Sequence, residues 1–187
     1  MRLSLAKKII VEGIKRNVTQ NTNIGGAVVG NPTTKPITFH LEGSMGIGKT
    51  ALAKQIANDL GFYLQQIALA QLEPTDIGGM RMPKGDKMVV LQPDWFIDPE
   101  RMSKLKAEGF KGVLYFFDEL PQSPTLNMNI FAQICDEYRI GEYALDRSEC
   151  YVMSAGNKLS DKAGTNAMPM HLVDRLTFLE IEANLDD

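Results

Sequence analysis

Gly43-Ser44-Met45-Gly46-Ile47-Gly48-Lys49-Thr50 is the stretch that decides the fold of this chain. It follows an apolar, strand-like run, Ile37-Thr38-Phe39-His40-Leu41. It precedes a segment, about Thr50 to Leu60, in which Leu52, Ile56 and Leu60 share one helical stripe before Gly61 stops it. Glycines at both ends of the loop let the backbone turn its amide N–H groups inward onto phosphate oxygens, where side chains would block close approach. The helix that starts at the loop's end adds its positive dipole. In this pattern Lys49 reaches the β- and γ-phosphates of a nucleotide, and the Thr50 hydroxyl is a ligand for the accompanying Mg²⁺. With glycine at about 7% of residues in proteins generally, a chance match to the four fixed positions is expected roughly once in a hundred chains of this length. A plain Gly-rich turn before a helix is therefore the weaker reading.

Val113-Leu114-Tyr115-Phe116-Phe117-Asp118-Glu119 is the second decisive stretch, an apolar run ending in two carboxylates. It describes a buried strand with an acidic C-terminal tip, the place where open α/β sheets bind their ligands. The chemistry assigns the two acids different tasks. Asp118 holds Mg²⁺, usually through a water ligand, and Glu119 orients and deprotonates the water that attacks the γ-phosphate. Alone, an Asp-Glu pair at a strand end is a common capping arrangement; after a phosphate loop, with one strand-like run (Phe62 to Leu69) between, the catalytic reading takes over. A fourth strand, Cys150 to Ala155, runs into Gly156-Asn157 and would bring the Asn157 amide beside those acids, within reach of the attacking water or the γ-phosphate.

Composition bounds the rest. The 187 residues fit one domain, and 44% hydrophobic with 23% charged is ordinary globular make-up. A net charge of −3 argues against a surface built mainly to hold nucleic-acid backbone. No run approaches the ~20 apolar residues of a membrane span, and the N-terminus, with Lys7 and Lys8 in an amphipathic pattern, lacks the core of a signal peptide. A cytoplasmic protein is expected. Cys135 and Cys150 lack metal-ligand spacing and read as reduced core residues. His40 and His171 read as structural, with no partner nearby in sequence for acid–base or metal work.

In chain order, Leu3, Ala6, Ile10, Ile14 and Val18 make an amphipathic helix, followed by a loop-like segment, Asn21 to Lys35. The connection from strand two to the helix at about Pro99 to Glu108 is unusually long. Within it, Met80-Arg81-Met82 and Lys87-Met88-Val89-Val90-Leu91 flank Pro83-Lys84-Gly85-Asp86 as a hairpin. Its methionines either fill core gaps or form an adaptable contact surface. Leu126 to Tyr138 is a further helix, Arg139 to Arg147 a second small hairpin, His171 to Leu176 a helical turn, and Thr177 to Ile181 the fifth strand. No repeat is visible.

These residues resemble the AAA+ ATPases and, within them, the MoxR-like group. The Walker A loop Gly43 to Thr50, the Walker B strand ending in Asp118-Glu119, and the stretch from Ser154-Ala155-Gly156-Asn157 to Asp174-Arg175-Leu176 carry the resemblance. Pro74-Thr75-Asp76-Ile77-Gly78-Gly79 looks like the turn after strand two in MoxR-like proteins. The resemblance spans about residues 36 to 182, with 1 to 35 as an N-terminal helix and loop of the same domain. It implies a P-loop NTPase three-layer sandwich, a five-stranded parallel sheet of order 5-1-4-3-2 with helices on both faces and hairpins inserted at 80 to 91 and 139 to 149. By it, ATP or ADP is held with Mg²⁺ by residues Gly43, Ser44, Met45, Gly46, Ile47, Gly48, Lys49, Thr50 and Asp118. Asn157 is sensor 1, and Arg175 looks like the arginine finger that reaches a neighbouring subunit's γ-phosphate, with Arg147 in reserve. A ring-like homo-oligomer, a hexamer being one such ring, and a client protein are the implied partners. The family's helical lid after strand five has no counterpart in these residues. Two other readings stand beside this one: a nucleotide-dependent binding module with negligible turnover, and a motor on DNA or RNA using Arg81, Lys84 and Lys87.

Overall fold

Alternation and composition place five strands side by side, and the computed structural model, which describes residues 1–20, 37–140, 143–158 and 164–182, shows how they pair. The strands are β1 (Thr38–Glu42), β2 (Phe62–Ala68), β3 (Met80–Lys84), β4 (Lys87–Leu91), β5 (Gly112–Asp118), β6 (Arg139–Ile140), β7 (Tyr143–Ala144), β8 (Cys150–Gly156) and β9 (Leu176–Glu180). The helices are α1 (Leu3–Gln20), α2 (Lys49–Leu60), α3 (Pro74–Gly78), α4 (Pro99–Ala107), α5 (Thr125–Glu137) and α6 (Met170–Val173).

The main sheet is parallel throughout, in the order β2-β5-β8-β1-β9. These labels differ from the expected ones because they count the four hairpin strands. Over the five sheet strands alone the order reads 5-1-4-3-2. β5 and β8 are buried along their whole length apart from the tip residue Asp118, which fits their near-continuous apolar sequences and a sheet covered on both faces.

Strand alternation sends Phe39, Leu41, Leu114, Phe116, Tyr151, Met153 and Ala155 to the face covered by α1 and α2. Val113, Tyr115, Phe117, Cys150 and Val152 go to the other face, against α5 and the segments around it. The expected stripe of α1 is realised in Ala6, Ile10 and Ile14, all fully buried, and Lys7 pairs with Asp59 of α2 at 2.8 Å. Cys135 and Cys150 are buried and unbridged, as expected. The segment 21–36, read as a loop, lies outside the described residues.

The long connection after β2 has structure of its own. Pro74 to Gly78, read as a turn, is one turn of helix: Glu73 and Asp76 form a reciprocal capping box, and Pro74 occupies its first turn. β3 and β4 pair from Met80↔Leu91 to Lys84↔Lys87, so the hairpin closes on Gly85-Asp86 alone. Gly85 takes φ 62 at the first loop position, where a twist-matched two-residue turn needs a left-handed residue. Met80, Met82 and Met88 are 51, 42 and 62% exposed, so they do not fill gaps in the core. The hairpin is staked at its foot: Trp95 Nε1 donates to the Asp76 carbonyl at 2.7 Å, and its ring meets Tyr115 and Phe117 edge-on. The Tyr143 hydroxyl, from the small β6–β7 hairpin, donates to the Val90 carbonyl of β4 at 3.1 Å and ties the two insertions together.

Candidate nucleotide site

The C-terminal tips of β1, β5 and β8 carry or adjoin the residues that the sequence marks as candidates for phosphate binding. β1 leads to Gly43, whose N–H donates to the Gly156 carbonyl of β8 at 3.3 Å. Gly46 and Gly48 hold φ 76 and 98, and a Cβ at Gly46 would meet nothing within 4 Å, so its glycine serves backbone conformation and an open approach. Gly48 is the N-cap of α2, which puts the helix's free amides at the loop.

Lys49 is buried. Its ammonium donates to the carbonyls of Gly43 (2.6 Å) and Ser44 (2.9 Å) and to Asn157 Oδ1 (2.9 Å). The Asn157 amide and the Lys49 ammonium, 108 residues apart in the chain, are thus in direct contact. Thr50 Oγ1 donates to Asp118 Oδ2 at 2.8 Å, and Gln66 Nε2 lies 3.4 Å from the same oxygen. Asp118 Oδ1 accepts the Glu119 N–H at 3.0 Å. Glu119 itself is exposed and sits at φ 60, ψ 33, a left-handed conformation rare for a residue with a side chain. That bend takes the chain off the line of β5 into the 3₁₀ turn Leu120–Gln122.

A hydroxyl and a carboxylate in contact form a hard-oxygen pair suited to Mg²⁺. Among the described residues no group of three or more His, Cys, Asp or Glu is placed to hold a metal. An ion on Thr50 and Asp118 would therefore complete its shell with water and phosphate oxygens. A cleft of about 310 Å³ runs beside the loop, lined by Leu3, Ser4, Lys7, Ala51 and Gln55, so that α1 forms one wall.

Arg175 and Arg147 are not brought to this site. Arg175 precedes β9 at the opposite edge of the sheet, where its guanidinium pairs with Asp136 at 3.2 Å and donates to the His171 carbonyl. Arg147 lies over the Tyr138 ring at 5.6 Å, before β8 begins.

Sequence reasoning missed the polar pair beneath the loop. His40 is fully buried, its Nδ1 2.9 Å from Ser154 Oγ, and among the described residues its Nε2 has no partner. Burial first, and the nearby Lys49 charge second, push its pKa down from 6.5 to about 3. His40 is therefore neutral in the folded state, whereas the unfolded chain takes up a proton near pH 6.5. Its contribution to stability is complete above that pH and is lost as pH falls towards 3. Two pH units at about 1.4 kcal/mol each give a loss of roughly 3 kcal/mol from this group by about pH 4.5. Urea unfolding of wild type and His40→Phe across that range should show a shallower acid slope in the variant; parallel slopes would refute the assignment.

The fold is the three-layer α/β sandwich of P-loop NTPases, a five-stranded parallel sheet between helices on both faces. Solved structures agree at the level of fold. A candidate ATPase from Cytophaga hutchinsonii superposes with a TM-score of 0.53 at 18% identity, over 98% of this chain and 54% of that one. The closed state of Hsp104 with ATPγS and FITC-casein gives 0.53 at 15%, over 79% and 29%, and a P216G mutant of RuvB from Thermotoga maritima gives 0.54 at 14%, over 97% and 46%. The chain thus spans about half or less of each of these proteins. No family model and no curated protein matches the sequence. Among the described residues no helix is long and apolar enough to cross a membrane.

Proposed function

We propose that the chain binds Mg-ATP at the tips of β1, β5 and β8 and hydrolyses it. The observation that carries this reading is the convergence of Lys49, Asn157, Thr50 and Asp118 through direct hydrogen bonds, with Glu119 next in the chain. In use, Lys49 turns from its two loop carbonyls to the β- and γ-phosphates, and the loop amides and the α2 N-terminus hold the remaining oxygens. Thr50 and Asp118 would hold Mg²⁺, which would supply neutralisation of the phosphate charge when bound. Glu119 takes the proton of the attacking water, and Asn157, beside Lys49, is placed to orient that water or the γ-phosphate.

The finer reading is a MoxR-like protein of the cytoplasm that works as a ring-like homo-oligomer, with Arg175 supplied to the neighbour's site. Nucleotide state would move the β3–β4 hairpin against a client. The exposed Met80, Met82 and Met88 favour a protein client over a phosphate backbone, because methionine offers polarizable apolar contact rather than charge. Phosphate release from wild type and Glu119→Gln tests hydrolysis: a large loss in the variant is expected, and equal background in both overturns it.

A further inference from the structure

The proposed site leaves one buried polar pair unused. His40 on β1 faces Ser154 on β8 in register, Leu41 faces Ala155, and Glu42 faces Gly156. By strand alternation His40, Ser154 and Gly156 lie on one face of the sheet, one layer below the tips that carry Lys49 and Asn157. On that face the layer continues sideways. The Phe178 ring of β9 meets His40 edge-on at 5.1 Å, and Pro121, three residues after Asp118, is seated on Gly156. A Cβ at Gly156 would fall 2.0 Å from Pro121 Cδ, so the turn that follows Glu119 is keyed onto the sensor strand through a glycine. Pro121 is fixed from behind as well, since its carbonyl accepts the Asn166 N–H at 2.6 Å.

A histidine in this layer is a poor choice for stability. It is fully buried, and among the described residues one ring nitrogen has no partner, an arrangement that costs folding free energy relative to an apolar residue of similar shape. What the pair supplies is a directional tie between the strand that leads into the loop Gly43 to Thr50 and the strand that leads into Asn157, three residues before Asn157 itself. Apolar packing resists separation of the strands but resists sliding and rotation of the tips far less than a hydrogen bond does.

We propose that His40 and Ser154 are positioning residues for Asn157: their hydrogen bond, with Pro121 locked on Gly156, sets the sensor amide against Lys49 and the γ-phosphate. The proposal rests on the reading of the site as one that binds and hydrolyses ATP. It assigns no proton transfer to His40, which stays neutral throughout.

Ser154→Ala removes the bond and nothing larger. The test measures the affinities of the whole protein for ADP and for a non-hydrolysable ATP analogue, with phosphate release and thermal melting alongside. Loss of one positioning hydrogen bond is expected to lower the preference for the ATP analogue over ADP by about five-fold, and turnover by a similar factor, with ADP affinity unchanged. Ser154→Thr, which keeps the hydroxyl, should restore the preference. A role in stability alone would lower the melting temperature and leave the affinity ratio as in wild type, and that result overturns the proposal. If Ser154→Ala does not fold, His40→Phe, which keeps a ring edge against Phe178, is read in the same way; failure of both to fold assigns the pair to stability and also overturns it. The underlying reading fails separately, if Glu119→Gln releases phosphate as fast as wild type or if neither nucleotide binds wild type.

Discussion

Arg175→Ala is expected to lower ATP turnover by the assembled protein by roughly 10³-fold or more, because a guanidinium that meets the charge developing on the γ-phosphate is worth about that much. The arginine cannot do this within its own chain. β9 and β1 run in register, Leu176 opposite Thr38 and Glu180 opposite Glu42. Four residue steps at about 3.3 Å set the start of β9 about 13 Å below the level at which the phosphate loop begins, longer than the side chain's reach once it is bent to Asp136. If Arg175 acts, it acts on a neighbour. Mixing supplies the diagnostic: an Arg175→Ala subunit retains Glu119, and a Glu119→Gln subunit retains Arg175. In an equal random mixture about a quarter of the interfaces pair an intact Glu119 with an intact Arg175, so turnover should recover to about that fraction of wild type from two nearly inactive parents. No recovery, with oligomers shown to form, refutes a finger in trans. Recovery with Arg147→Ala in place of Arg175→Ala would move the role to Arg147.

The parts of this architecture that could be read from sequence share a property: their signal is local. The loop Gly43 to Thr50 is legible because backbone conformation and phosphate chemistry restrict four positions within eight residues. β5 and β8 are legible because a strand buried on both faces needs an unbroken apolar run. The same holds for the β3–β4 hairpin, whose turn glycine is forced by φ. What stayed hidden depends on pairing between distant segments. His40 and Ser154 are 114 residues apart, and each alone looks like an ordinary polar residue at a strand position; only the parallel register sets them opposite each other. Placing β1 beside β8 before asking what each side chain faces would have found them. α3 was hidden for another reason. At five residues it is too short to show periodicity, and its signal, Glu73 with Asp76 around Pro74, uses glutamate where serine, threonine or aspartate is the usual cap. The exposure of the hairpin methionines was also undecidable from sequence, since methionine serves cores and contact surfaces equally well.

Glu119→Gln separates holding ATP from hydrolysing it, and the local geometry makes it a clean test. Glutamine has the same length and the same backbone cost at φ 60, so the left-handed bend into the following 3₁₀ turn carries no new penalty. The bond that steadies this bend runs from the backbone N–H of residue 119 to Asp118 Oδ1, and it survives the change. Lys49 to Asn157 and Thr50 to Asp118 are likewise untouched. What disappears is a basic oxygen able to accept a proton from water, a contribution of about 10² to 10⁴ in rate. Phosphate release should therefore fall by that factor while affinity for a fluorescent ATP analogue stays within about two-fold of wild type, since uniform binding is preserved. Lys49→Ala makes the opposite error visible: it removes a phosphate contact and should weaken nucleotide binding as well as turnover. If Glu119→Gln loses binding in parallel with rate, the carboxylate is holding the site together rather than activating water. If wild type and Glu119→Gln both bind nucleotide and release phosphate only at background, the strand tips bind nucleotide without hydrolysing it and the chain is a nucleotide-dependent binding module.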